Sequence, residues 1–249
     1  MIPKIIHYCW FGNNDLPELA QKCIESWKKY CPDYDFIRWD ESNYDLKKNL
    51  YIKQAYESKQ WCFVSDYARL DVVYNYGGIY LDTDVELLRP IDDLLQYESF
   101  AGVENGNLVN FGLGFGAEKH STVIRNIMKE YEGRKFIKND GEMDRTPCPI
   151  IQTNYLKTIG FKENNDIQNL DGIVIFPKEY FSPKDFLTGK LVITNNTYSI
   201  HHYQAAWLDE YDNFCKRMRW KLSKYFSPRF SKLISIIIGK LKFFFIRKS

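Results

Sequence analysis

Apolar residues along this chain recur with two periods, and the switches between them predict an α/β layer fold. Residues 4–10 are a short apolar run after Pro3, closed by the turn-forming Gly12, Asn13, Asn14 and Asp15, which predicts a buried first strand. Leu16, Leu19, Ala20, Cys23, Ile24 and Trp27 then fall at helical spacing until Pro32, so 16–30 reads as a helix and 34–39 as the second strand. Over 60–76 the apolar positions Phe63, Tyr67, Leu70, Val73 and Tyr74 return every three or four residues, and Gly77 with Gly78 stops that helix. A strand at 79–81 leads straight into an acidic Asp82-Thr83-Asp84. Further strands are predicted at 99–103, 111–117, 172–176 and 198–202, and helices at 121–131 and 150–157. The polar, turn-rich segment 132–149 reads as a surface excursion.

Beyond residue 207 the pattern turns helical and basic. Phe230, Leu233, Ile234, Ile236, Ile237, Ile238, Leu241, Phe243, Phe244, Phe245 and Ile246 are interrupted by Lys232, Lys240 and Lys242. A spanning helix needs about 20 predominantly apolar residues, and charges in its middle are costly. The expectation is therefore a helix lying in the membrane interface.

Charge sharpens this division. The net charge of +2 over 249 residues hides eleven Lys or Arg and no acid in 213–249, leaving 23 basic against 32 acidic residues in 1–212. The expected organisation is one catalytic domain over 1–212 and a basic amphipathic tail over 213–249 that docks on anionic lipid. Aromatics in the tail lie with aliphatics and are not interleaved through its basic residues, so no nucleic-acid partner is expected. The six cysteines show no CxxC pair, and MIPKIIHYCWFG lacks a basic stretch followed by a long apolar run. The expected location is the cytoplasm, peripherally on the inner face of the cell membrane.

Two carboxylates one residue apart after a buried strand present hard oxygen ligands at a strand's carboxyl end, where ligands of open α/β sheets gather. If the strand continued, Asp82 and Asp84 would share a side, with Thr83 turned away. Such a pair suits Mn²⁺ or Mg²⁺, which would neutralise a diphosphate. Alone, a DxD is more often a solvated turn.

The surrounding string SDYARLDVVYNYGGIYLDTDVE resembles the DXD sugar-binding region of glycosyltransferase family 32, which includes bacterial capsule and surface-polysaccharide transferases. It is more distantly similar to the glucosylating domains of large clostridial toxins. IPKIIHYCWFG at 2–12 and IHHYQAAW at 200–207 carry the resemblance further along the chain. The resemblance implies a GT-A architecture, a Rossmann-like mixed sheet flanked by helices, and retention at the transferred sugar's anomeric carbon. It implies that Trp10 stacks on the donor base, with the Cys9 backbone at the base edge, and that Asp66 and Arg69 face the donor sugar and its ribose or phosphate. Asp82 would touch ribose and sugar, directly or through a metal-bound water, and Asp84 would bind the ion. Asn110 sits where the family has a polar residue near the donor sugar, and Trp207 would close over the diphosphate. Ala206 stands where a small hydroxyl residue often precedes that tryptophan. The third metal ligand is expected from IHHYQAAW; spacing to Trp207 favours His202, with His201 the alternative because consecutive strand residues face opposite sides.

The expected reaction is transfer from a nucleotide-sugar, UDP favoured over GDP, to a lipid-linked oligosaccharide acceptor of a capsular or surface polysaccharide. Two other readings compete. A Mg²⁺-dependent phosphohydrolase also carries a strand-end DxD, but with Thr or Val where this chain has Glu86. A non-catalytic nucleotide-sugar-binding module would keep Trp10 without needing Asp82, Asp84 and a histidine together. Donor base and sugar, acceptor linkage and oligomeric state are not encoded in these motifs.

Overall fold

A computed structural model describes residues 1–204 and 210–246. They divide into two compact units, Met1–Pro183 with Ile193–His202, and Lys184–Val192 with Tyr203–Ser249.

The strands of the first unit are β1 (Ile5–Cys9), β2 (Asp35–Trp39), β3 (Gly78–Tyr80), β4 (Val85–Leu87), β5 (Ser99–Val103), β6 (Val109–Asn110), β7 (Phe115–Ala117), β8 (Gln168–Leu170), β9 (Ile173–Phe176) and β10 (Ser199–His201). Its helices are α1 (Glu18–Tyr30), α2 (Leu50–Glu57), α3 (Trp61–Tyr76), α4 (Thr122–Lys129), α5 (Cys148–Thr158) and the short α6 (Lys178–Phe181). The main sheet runs β2-β1-β3-β7-β5-β9-β8, with β6 on β5. Here β1 is parallel to β2 and β3, and β5 to β9, while β7 runs against both its neighbours. β4 and β10 form a separate antiparallel ribbon. This is the Rossmann-like mixed sheet flanked by helices expected of a GT-A fold.

Strand alternation feeds two cores, one on each face of the sheet. Ile79, Phe100 and Phe176 pack with Cys23, Ile24 and Trp27 of α1, whereas Tyr80, Ala101 and Ile175 pack with α2, α3, α4 and α5. β3 enters the sheet through Gly77 and Gly78, whose φ angles are +69° and +103°. A Cβ on Gly78 would lie 2.7 Å from the Ile5 carbonyl oxygen, so only glycine lets β3 lie this close to β1. Beside this turn the buried His7 accepts from the Trp39 indole at Nδ1 (3.1 Å) and donates from Nε2 to the Gly77 carbonyl (2.8 Å). Burial pushes His7 down to about 4, so it is a neutral strut between β1, β2 and the end of α3.

Most predicted elements form within two residues of their expected ends; the short β4, β6, β8 and α6 were not predicted, and three further differences stand out. The strand expected over 111–117 is broken, because the Asn110 side chain accepts the Gly112 N–H and turns Phe111–Leu113 into a 3₁₀ turn. Helix α2 went unpredicted; Asn49 caps it by accepting the Ile52 N–H, and its buried Tyr51, Ile52 and Ala55 span too few turns for a clear period. The 132–149 excursion is pinned by Phe136, which is fully buried against Tyr51 and Phe63.

The second unit contains α7 (Glu210–Leu222) and α8 (Pro228–Ile246). Segment 184–192 joins α7 through the Phe186 carbonyl, which accepts from the Trp220 indole (2.8 Å) and the Arg219 guanidinium (3.1 Å). The described part of the basic stretch, 213–246, lies within this unit. Among the described residues, no helix is long and apolar enough to cross a membrane.

Trp27 ties α1 to the stretch after the acidic motif: its indole donates to the Val85 carbonyl (2.7 Å) from a fully buried position. Trp27→Ala is expected to lower unfolding free energy by about 3–5 kcal/mol in urea denaturation, and Trp27→Phe, which deletes mainly the hydrogen bond, by about 1–3 kcal/mol.

Candidate active site

The DTD motif is the crossing from one sheet to the other. β3 ends at Tyr80, and the Val85 N–H closes a turn on the Asp82 carbonyl (3.0 Å) before β4 begins in the ribbon. The strand does not continue through the motif, so the two carboxylates are presented from a turn. Helix α3 lies under this turn with Asp66 and Arg69 one turn apart on the face toward it, both buried. The Arg69 guanidinium reaches Asp66 at 3.0 Å and Asp82 at 3.2 Å, lies 5.0 Å from the Tyr80 ring centre, and anchors its Nε on the Ser65 carbonyl (3.1 Å). Tyr80 donates its hydroxyl to Asp82 (3.0 Å), two residues on.

Asp84 meets a histidine from the far end of the unit. β10 pairs antiparallel with β4 so that His201 stands opposite Val85, and its Nε2 is 3.1 Å from Asp84. The carboxylates of Asp82 and Asp84 and a ring nitrogen of His201 all lie within 4.8 Å of one another. His202, preferred from its spacing to Trp207, points elsewhere and lies 2.8 Å from Glu86. Consecutive residues face opposite sides, and His202, one residue past the end of β10, gives its N–H to the Asp84 carbonyl (2.9 Å) while its ring turns to Glu86. The imidazole that shares a site with the motif is thus His201. Trp207 and Ala206 lie outside the described residues.

The floor comes from the broken strand. The Asp82 N–H donates to the Gly112 carbonyl (3.2 Å), and a Cβ on Gly112 would fall 2.2 Å from Asp82 Oδ2 and 2.7 Å from an Arg69 nitrogen. No side chain fits there. Asn110 holds the turn from within and donates its amide to Glu104 (2.9 Å), while α5 clamps it from outside: Gln152 accepts from the Phe111 N–H and Thr153 from the Val109 N–H. Tyr80, Glu104, Gln152 and the steric role of Gly112 were not legible in the sequence. Glu104 lacked any motif, and the alternating glycines at 112, 114 and 116 signalled only a bend.

Cys9 and Trp10 close the same sheet edge. β1 and β3 are parallel with His7 beside Tyr80, which brings Cys9 alongside the motif. The Cys9 thiol is buried and pushed up to about 12, so only its backbone can serve a ligand. The half-buried Trp10 takes its backbone N–H to the Trp39 carbonyl and its indole N–H to the Asn14 carbonyl (2.7 Å).

Four carboxylates, Asp66, Asp82, Asp84 and Glu104, thus surround one guanidinium and one imidazole. Burial raises Asp66 to about 6 against the pull of Arg69, and raises Asp82 and Glu104 for the same reason. Burial opposes charge on His201, but Asp84, Asp82 and Glu104 outweigh it and hold the imidazole's pKa above its ordinary value. Two oxygens and an imidazole nitrogen form a donor set suited to Mn²⁺. With metal–ligand bonds of about 2.1 Å, two ligand atoms of one ion lie at most about 4.2 Å apart. The observed cluster therefore needs only small side-chain adjustments to close on a cation.

Two predictions follow from this geometry. Gly112→Ala should displace Asp82 and lower Mn²⁺ affinity, read by electron paramagnetic resonance, by about 10–100-fold with the circular dichroism spectrum kept. The second concerns pH. The native state holds the Asp66 proton between about 4 and 6 while the unfolded chain releases it, and it holds the His201 proton above 6.5. Metal-free stability should therefore fall as pH rises across this range. Asp66→Asn should flatten the lower part by about 3 kcal/mol at most, measured as unfolding free energy against pH.

Residues 17–101 match the family described as "Glycosyltransferase sugar-binding region containing DXD motif". Inositol phosphoceramide mannosyltransferase 3 of Schizosaccharomyces pombe is 37% identical over 127 residues, which are 45% of this chain and 34% of that protein. Mannosyl phosphorylinositol ceramide synthase CSH1 of Saccharomyces cerevisiae is 36% identical over 151 residues, 55% of this chain and 38% of its own length. The chain thus spans little more than a third of these curated relatives. The solved PaToxG glycosyltransferase superposes with a TM-score of 0.47 at 19% identity, covering 63% of this chain and 69% of that one. The matched region holds Asp66, Arg69, Asp82 and Asp84, so these four residues lie in the part of the chain that is similar to the DXD-motif glycosyltransferases.

Proposed function

We propose that this chain is a metal-dependent, retaining glycosyltransferase that moves a sugar from a nucleotide-sugar to a lipid-linked oligosaccharide of a capsular or surface polysaccharide. The observation that carries the reading is the convergence of Asp82, Asp84 and His201 beside a buried arginine. In such a site Mn²⁺, or Mg²⁺, would be held by those three side chains and would neutralise charge on the departing diphosphate. The chain's own groups prepare the rest. Asp66, Asp82 and the Ser65 carbonyl fix the Arg69 fork before any ligand arrives, so its charge is oriented without reorganisation during reaction. Trp10 offers a flat apolar face at the same sheet edge for the donor base. Asn110, turned by Glu104, faces the donor sugar in this scheme.

The base is proposed as uracil, and the mannosyltransferase relatives add mannose to the candidate sugars, so UDP- and GDP-sugars belong in one screen. The chain would work in the cytoplasm, peripherally on the inner face of the cell membrane, where its acceptor is anchored. The phosphohydrolase reading needs an aspartate available to attack phosphorus, whereas Asp82 accepts from Tyr80 and pairs with Arg69.

Mn²⁺-dependent hydrolysis of a nucleotide-sugar donor, with no phosphate release from generic phosphoesters, is the expected result. Asp84→Ala should lower that rate at least about a hundredfold and remove the Mn²⁺ resonance signal. His201→Ala should do likewise, and His202→Ala should not. Full activity in Asp84→Ala would overturn the metal assignment.

A further inference from the structure

Helix α8 is built inside out for a water-soluble surface. The face it buries within its own unit is made of its smallest residues: Ser231, Ser235 and Gly239, four apart, are buried. Gly239 lies so close to α7 that a Cβ there would be 2.6 Å from the Cys215 sulfur and 3.0 Å from the Tyr211 ring. The Cys215 thiol donates to the Ser235 carbonyl (3.5 Å), and Tyr211 packs edge-on to Phe243 at 5.4 Å. This close backbone approach turns the large apolar side chains outward. Phe230, Leu233, Ile237 and Leu241, at spacings of three and four, are 47%, 56%, 49% and 55% exposed, and Phe226 extends the stripe before the helix begins. Arg229 and Lys240 are exposed along the stripe's margin, Lys232 is exposed further round the helix, and Lys221 and Lys224 are exposed just before it.

We propose that this stripe is a docking face for an anionic lipid surface, with the apolar row buried at the headgroup boundary and the flanking cations on lipid phosphates. Its use in catalysis rests on the lipid-linked acceptor proposed above; the docking itself does not. Charge complementarity selects the occupant. The face carries an uninterrupted apolar row bordered only by positive charge, and 213–249 holds no acidic residue. A second copy of the same face would set like charges against each other, and a neutral apolar protein partner would leave the cations unmatched. An amphipathic helix with basic flanks and a row of Phe, Leu and Ile matches an interfacial anchor, and the separation from the buried small-residue face keeps α7 and α8 together while it is used.

The test is co-flotation of the full chain with vesicles of phosphatidylcholine containing 30% phosphatidylglycerol, and with phosphatidylcholine alone, at low and high salt. The expected result is binding to the anionic vesicles that weakens in high salt, at least tenfold weaker binding in the variant Leu233→Ser with Ile237→Ser, and loss of the anionic preference in Arg229→Glu with Lys240→Glu. Unchanged flotation in the Leu233/Ile237 variant would overturn the proposal. So would a wild-type dimer that the same variant converts to monomer with no vesicle binding in either form. Mn²⁺-dependent donor hydrolysis, measured in parallel without vesicles, should be equal in all these proteins. Its absence throughout would count against the catalytic reading and leave the docking result to stand or fall separately.

Discussion

A guanidinium buried between two carboxylates organises this site. Arg69 bridges Asp66 on its own helix to Asp82 on the turn that leaves the sheet, and each group would be costly to bury alone. The neighbours follow from that bridge. Tyr80 stacks beneath and donates to Asp82, and Gly112 has no side chain because Asp82 and Arg69 occupy its space. Asn110 and α5 then hold the backbone that carries Gly112 in place.

The bridge leaves the site negative. One guanidinium cannot balance Asp66, Asp82, Asp84 and Glu104, and the imbalance appears as raised carboxyl pKa values and a His201 inclined to keep its proton. A divalent cation relieves that repulsion more completely than protons do, and the ribbon of β4 and β10 puts an imidazole where it can join two carboxylates in holding one. A buried excess of acid is thus a cost to the apo fold and, in the proposed function, would be the origin of affinity for a cation and, through it, for a diphosphate.

In both units one helix divides its faces between packing and a different use of its side chains. Helix α3 buries apolar residues along much of its length and reserves the Asp66–Arg69 face for the site. Helix α8 spends its small residues on α7 and leaves its large ones outside.

What the chain's local order determined were relations between residues close in sequence. The i, i+3 placement of Asp66 and Arg69, the glycine pair that ends α3, the acidic turn after a buried strand, and the layered fold all follow from short-range periodicity and backbone sterics. Tertiary structure decided what depends on how distant segments register. The pairing of β10 with β4 selected His201 over His202, the approach of the 110–112 turn to Asp82 made Gly112 indispensable, and close contact with α7 turned the apolar row of α8 outward. Periodicity along a segment says which residues share a side. Which side meets which neighbour is settled only when the far segment arrives, because that choice is made by packing and hydrogen-bond register between pieces the local pattern does not connect.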